Sequence, residues 1–270
     1  MKVLIWCGDA ANQMALCGKI NQQFEIVGIV LERKIVKTNF KFSTFIQKVV
    51  DRIRFALISK AWYGMLAFYK DKYKGYPEVP IIIVDNINNA KTLDFANKYK
   101  PDVIVVSGTS LVREPLLSIP LTKGMLNLHT GLSPYVKGGP NCTNWCIANN
   151  ELHLIGNTIM WIDKGIDSGN IVTTEVVKFS GKETLLEVHI IVMEAAHNLY
   201  ILALNCIQNQ FVNCPNVNQD SITKGKLYKT IMWDSRAKRN LLNNFKKFNE
   251  RIHSEMYKRE LEKIKLVKLK

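Results

Sequence analysis

Nowhere in the 270 residues does an apolar run approach the ~18–20 residues of a membrane-spanning helix, so no membrane span is expected. The pattern of a secretory leader is missing too: Val3 to Cys7 is apolar, but Gly8-Asp9 ends that run after one strand's length. Cysteine is sparse, and the irregular spacing of its six copies excludes a small disulfide scaffold. Cys142 and Cys146 stand four apart, yet no Cys-x-x-Cys or paired histidine lies near to complete a zinc set, so no metal is expected. The thiols read as reduced and mostly buried, and the chain as cytoplasmic. Acidic residues are few as well, 23 against 37 lysines and arginines, which leaves a net charge of +14.

That basic excess is local. Residues 33–74 hold eleven basic and two acidic residues, 236–270 hold twelve and four, and the remainder is slightly acidic. Both segments read as solvated helix faces, so no nucleic acid is expected as a partner, although an anionic substrate or a membrane surface would feel them. The other composition figures, 47% apolar and 22% charged, exclude disorder for most of the chain.

Lys2–Cys7, Phe24–Leu31, Val79–Val84 and Val103–Ser107 are short, β-branched-rich runs that suit strands buried on both faces of a parallel sheet. Helical patterns over Ala10–Gln22 and Asn88–Tyr99 alternate with them, which predicts a doubly wound α/β domain. The sheet continues through Met125–His129 and Asn157–Ile162, and Ile171–Lys178 is a further, antiparallel candidate. The interval 35–78 is too long for one crossover. Phe42, Ile46, Val49, Ile53 and Leu57 form a helix stripe there, followed by aromatics from Trp62 to Tyr76.

Glu183–Ile207 predicts a long buried helix, with His189 and His197 as hydrogen-bonded core residues. A final helix over 237–268 carries a stripe of Leu241, Phe245, Phe248, Ile252 and Met256, suited to the domain's own core or to a second subunit; a homodimer is expected. The domain division is then 1–180, with a basic helical insertion at 33–78, followed by a helical extension over 181–270.

The chemistry concentrates further along. Asn127-Leu128-His129 ends a predicted strand and precedes a loop with Gly131, Pro134, Gly138, Gly139 and Pro140. Side chains two apart on a strand point the same way, so an imidazole stands beside an amide that can donate to an oxyanion. Ligands of open α/β sheets bind outside such strand ends. The loop Ile162-Asp163-Lys164-Gly165-Ile166-Asp167-Ser168-Gly169 is turn-forming by composition, and Asp167 in it can reach His129, orient it and favour its protonated form.

Asn-x-His, a Gly/Pro loop, Gly-x-Thr at Gly156-Asn157-Thr158 and Asp-x-Gly at Asp167-Ser168-Gly169 together resemble the folate-dependent formyltransferase family, with the dense match over about 107–172. The family's Ser-Leu-Leu-Pro loop is altered here to Gly131-Leu132-Ser133-Pro134. The resemblance implies a Rossmann-like, mostly parallel sheet, catalytic Asn127, His129 and Asp167, and 10-formyltetrahydrofolate as donor. It places folate between Ser107, Gly108 and Thr109 on one side and Trp161, Ile162, Asp163 and Gly165 on the other. Tyr135, Lys137 and Trp145 are candidates for acceptor contacts, each with an equally plain packing or solvent role.

Within the family, no alternating strand series follows Ile207, as a methionyl-tRNA formyltransferase barrel would require. The first loop, Gly8 to Asn12, leaves little room for the phosphate of a glycinamide ribonucleotide. A sugar N-formyltransferase remains, acting on a nucleotide-linked amino sugar, commonly a 4-amino-4,6-dideoxyhexose, for surface polysaccharide such as O-antigen of lipopolysaccharide. The alternatives are a methionyl-tRNA formyltransferase-like enzyme, a formyltetrahydrofolate hydrolase, whose N-terminal regulatory domain is not in evidence before Lys2, and a non-enzymatic nucleotide- or RNA-binding module using 33–74.

Overall fold

A computed structural model describes residues 1–34, 50–51 and 53–269. Five strands, β1 (Lys2–Gly8), β2 (Glu25–Glu32), β3 (Ile81–Val84), β4 (Val103–Ser107) and β5 (Gly124–His129), run parallel. Counting a short β6 (Val136–Gly138) outside this sheet, β7 (Gly156–Trp161) and β8 (Ile171–Val176) then pair antiparallel, giving the order β3-β2-β1-β4-β5-β7-β8. The order reverses between β1 and β4, which opens a crevice beyond their carboxyl ends at Gly8 and Ser107. The mostly parallel α/β sheet matches the expected fold class.

Strand residues alternate between two cores. Val3, Ile5, Val103, Val105, Leu126 and Leu128 pack on one face, and Leu4, Trp6, Ile104, Val106 and Met125 on the other. The first face is covered by α1 (Ala11–Asn21) and by the long helix Leu185–Gln210; α2 (Ala56–Lys72) lies over α1. The second face is covered by α3 (Ala90–Tyr99) and the segment around Val112 and Leu116.

Between β6 and β7 lies α4 (Cys142–Ala148), so the long helix Leu185–Gln210 is α5. Thr184 caps it reciprocally: its Oγ1 accepts from the Glu187 N–H at 3.3 Å, and the Glu187 carboxylate accepts from the Thr184 N–H at 2.7 Å. Contrary to the expectation from the sequence, this one helix is long and apolar enough to cross a membrane, but 56% of its most apolar stretch is buried inside the protein. It also lies on the central sheet, so a boundary at 180/181 does not follow a seam in the core.

Three further expectations are corrected. Of the stripe in the insertion, Phe42, Ile46 and Val49 lie outside the described residues, while Ile53 and Leu57 are exposed. Phe55 leaves helical geometry at φ −110°, ψ 24°, and the buried face of α2 restarts as Ile58, Ala61, Met65 and Tyr69.

The terminal helix is also broken, into α6 (Ser235–Phe245), α7 (Phe248–Ile252) and α8 (Glu255–Glu262). The second break is set by Ser254, extended at ψ 148°, whose hydroxyl accepts from the Tyr257 N–H and donates to the Arg251 carbonyl. Leu241, Phe248 and Ile252 are buried against Trp145, Ile147 and Leu152, and only Met256 of that stripe is exposed. The stripe is therefore covered by the chain's own core and is not left over as a dimer face.

Finally, the region read as irregular contains β9 (Lys226–Tyr228), which pairs in parallel with β6 as a separate two-stranded sheet. Tyr228 stacks on Trp145 with ring centres 4.5 Å apart.

Candidate active site

The β5–β7 register sets Asn127 opposite Met160 and His129 opposite Thr158, at the end of the sheet beside the crevice. Asp167 reaches them from the loop between β7 and β8. Its φ of +48° places it in the left-handed region, which Asp tolerates better than most residues. The loop is held from both ends. Asp163 Oδ1 accepts from the Gly165 N–H at 2.9 Å and the Ser168 hydroxyl at 2.6 Å. Gln219 Nε2 donates to the carbonyls of Asp167 and Gly169, each at 2.8 Å.

The Asp167 carboxylate accepts from the Gly138 N–H at 2.9 Å and from Asn127 Nδ2 at 3.3 Å, and it faces His129 Nδ1 at 3.4 Å. His129 Nε2 lies 3.1 Å from the Val136 carbonyl and 3.5 Å from Cys142 Sγ. A carbonyl only accepts, so Nε2 carries a proton. The carboxylate opposite Nδ1 calls for a second proton there, which makes the ring an imidazolium. Burial, the largest influence, pushes the His129 pKa down; Asp167 foremost, then the Cys142 sulfur and the Val136 carbonyl, outweigh it and raise it to about 10.

These groups stand at one end of a cleft of about 700 Å³ at the sheet's switch point, within the ordinary size of a ligand site. Ser107, Gly108 and Thr109 line it, and so do Trp161, Ile162, Asp163 and Gly165. Gly108 has φ +70°, and a Cβ there would come 2.9 Å from Gln13 Nε2.

The three acceptor-contact candidates are not brought to the cleft. Trp145 is buried under Tyr228 and Trp233, and its indole donates to the Gly139 carbonyl at 3.2 Å. Tyr135 Oη accepts from the Lys265 N–H at 2.9 Å, fastening the C-terminal tail. Lys137 sits in the β6–β9 ladder opposite Leu227 and is not among the lining residues.

Residues not foreseen as site residues take their place. Leu227 to Thr230 form one wall, and Asn12 and Gln13, both buried, line another. Two adjacent amides at the start of an otherwise apolar helix were the available signal for the latter pair; the β6–β9 pairing had none.

His189 and His197 lie outside the trio. Among the described residues, Nε2 of His189 and both nitrogens of His197 lack hydrogen-bond partners, which corrects the expected hydrogen-bonded core role. Burial lowers their pKa values to about 4 and about 3, so both rings are neutral.

The family model described as Formyl transferase matches residues 85–204. The chain is 32% identical over 119 residues to the methionyl-tRNA formyltransferase of Clostridium tetani, a match covering 44% of this chain and 37% of that protein. The chain spans about two fifths of the length of such curated relatives, 37% and 42% in the first two.

Two solved structures cover far more of it. The N-formyltransferase of Helicobacter canadensis, in complex with folinic acid and dTDP-3-aminofucose, has a TM-score of 0.57 at 18% identity and covers 91% of this chain and 81% of its own. A sugar N-formyltransferase from a Shewanella species has a TM-score of 0.57 at 16% identity, over 90% of this chain and 87% of that one.

Proposed function

We propose that this chain, which belongs to the formyl transferase family, moves a formyl group from 10-formyltetrahydrofolate to the amine of a nucleotide-linked amino sugar. The meeting of Asn127, His129 and Asp167 at the mouth of one cleft carries the reading. Attack by the amine builds negative charge on the formyl oxygen. Asn127 has a second amide hydrogen beyond the one given to Asp167, and this can be donated to that oxygen. His129, positively charged at neutral pH, stabilises the same charge. Asp167 keeps the ring charged and aims both partners. The proton lost by the amine balances the one gained by the leaving nitrogen.

The cleft suits a flat heterocycle with a tail: Gly8 and Gly108 keep the strand ends bare, since a Cβ on Gly8 would lie 2.7 Å from the Gly108 carbonyl oxygen. In this reading Ser107 to Thr109 and Trp161 to Gly165 hold the donor.

The sugar branch is favoured by extent. Structural likeness to sugar N-formyltransferases runs over about nine tenths of the chain, whereas sequence likeness to methionyl-tRNA formyltransferases spans 42% to 57% of it. A dTDP-linked 4-amino-4,6-dideoxyhexose destined for surface polysaccharide is the acceptor we infer, in a cytoplasmic setting where folate and nucleotide sugars are made.

The test is incubation with 10-formyltetrahydrofolate and a panel of dTDP- and UDP-linked 3-amino and 4-amino sugars, read by mass, with methionyl-tRNA and water as rival acceptors. A formylated nucleotide sugar is expected. Formylation of tRNA alone, or release of formate alone, overturns the reading.

A further inference from the structure

Cys142, the first residue of α4, faces no reacting group in the chemistry above, yet its sulfur touches the His129 ring. Sγ lies 3.5 Å from His129 Nε2 and 3.4 Å from the Gly138 carbonyl oxygen. That carbonyl can only accept, so the S–H is directed to it and the sulfur lone pairs are left facing the ring. The Nε2–H is then shared between the Val136 oxygen at 3.1 Å and the sulfur.

Position 131 supplies an independent observation. A Cβ there would fall well inside contact distance of His129 Nε2 and 2.9 Å from both Cβ and Sγ of Cys142. The imidazole and the thiol fit side by side because residue 131 is glycine. His129, Gly131 and Cys142 thus occupy a single niche.

We propose that Cys142 is a positioning residue for His129. Its sulfur holds the Nε2 edge of the imidazolium in the niche, so that the opposite edge meets Asp167. The titratable groups against the ring are Asp167, from the β7–β8 loop, and Cys142, from α4; β6 presents the Val136 carbonyl. Thr158, the β7 residue opposite His129, spends its hydroxyl on the Gly131 carbonyl at 2.7 Å. The catalytic meaning of this positioning rests on the formyl-transfer reading; the positioning itself does not.

The ring's titration is followed by NMR on enzyme with labelled histidine, the His129 signal being assigned with His129→Gln. Cys142→Ala removes the sulfur, Cys142→Val fills its space without a lone pair, and Cys142→Ser keeps a donor and an acceptor. The expected result is a fall of about one unit in the His129 pKa for Ala and Val, and a return toward wild type for Ser. Turnover should fall about tenfold for Ala and Val with little change in either KM.

Gly131→Ala should be damaging with or without Cys142→Ala, because the added Cβ still meets His129 Nε2 and the Cβ of residue 142. Equal titration curves and pH–rate profiles in wild type, Ala and Val overturn the proposal, as does a uniform loss of thermal stability with the His129 titration unmoved. If no acceptor is formylated at all, the functional reading fails while the NMR curves still decide the role of Cys142.

Discussion

Replacing Asp167 by asparagine separates charge from shape at the centre of the site. His129, His189 and His197 are similarly enclosed, with 7%, 3% and 0% of their surface exposed. The last two sit at about 4 and about 3, whereas His129, with a carboxylate 3.4 Å from Nδ1, sits at about 10. Burial lowers all three; only His129 is raised, by the Asp167 carboxylate foremost and then by the Cys142 sulfur and the Val136 carbonyl.

In Asp167→Asn the ring should therefore be neutral at pH 7. The amide also presents one oxygen where two were used: its NH2 must face either the Gly138 N–H or the Asn127 amide, donor against donor. Turnover at saturating donor should drop by about 10²–10⁴-fold, with the residual activity rising as pH is lowered. In the wild type, protonation of His129 contributes stability that is fully present below its unfolded value of ~6.5 and is lost as pH rises through about 10. The checks are the pH–rate profile, the His129 titration and circular dichroism. A folded variant within tenfold of wild type, or one whose ring stays protonated at pH 7, refutes the argument.

His129→Ala and Asn127→Ala should each fold and lose about 10²–10⁴ and about 10²–10³ in turnover, and near-normal rates in both would sink the catalytic assignment. Asp163→Asn weakens the loop bonds to Gly165 and Ser168, so it should raise the donor's KM with a smaller loss of turnover; the reverse pattern, measured at saturating donor, would give Asp163 the role assigned to Asp167. Leu241→Ala, at a fully buried position under α4, should cost about 2–5 kcal/mol and lower the melting temperature several degrees, which differential scanning calorimetry reads. His189 and His197 have depressed pKa values, so stability is complete above ~6.5 and falls as pH drops through about 4 and about 3. His197→Leu should flatten that acid limb in denaturant titrations run between pH 7 and 4.

What could be read in advance was local. The buried strands announce themselves as β-branched runs, because a strand covered on both faces has no polar side to show. Asn127, His129 and Asp167 are legible because the strand carrying the first two runs into a Gly/Pro loop, Asp167 stands among turn-forming residues, and a strand end is where an open sheet exposes chemistry. Ser107 to Thr109 came from the family resemblance, and they line the cleft where β4 ends.

Pairings between distant segments were illegible for an equally physical reason. Lys226–Tyr228 is three residues of no marked periodicity, and it becomes a strand only because β6, about ninety positions earlier, offers a free edge. Once it docks, Tyr228 covers Trp145, which turns an aromatic that looked available for a sugar ring into a wall support. The break in the terminal helix follows the same logic. Apolar positions at three- and four-residue steps say that one face is buried, and they do not say that the axis is straight. Asn244 donates to the Ile147 and Ala148 carbonyls at the end of α4, and Ser254 caps the next turn, so the backbone bends to keep Leu241, Phe248 and Ile252 on a curved core. A stripe that would have suited a flat partner is thereby consumed within the chain. The surface that completes the cleft, Leu227 to Thr230, is carried by the same C-terminal third, so the wall facing Asn127, His129 and Asp167 depends on packing that lies beyond the matched family segment at 85–204.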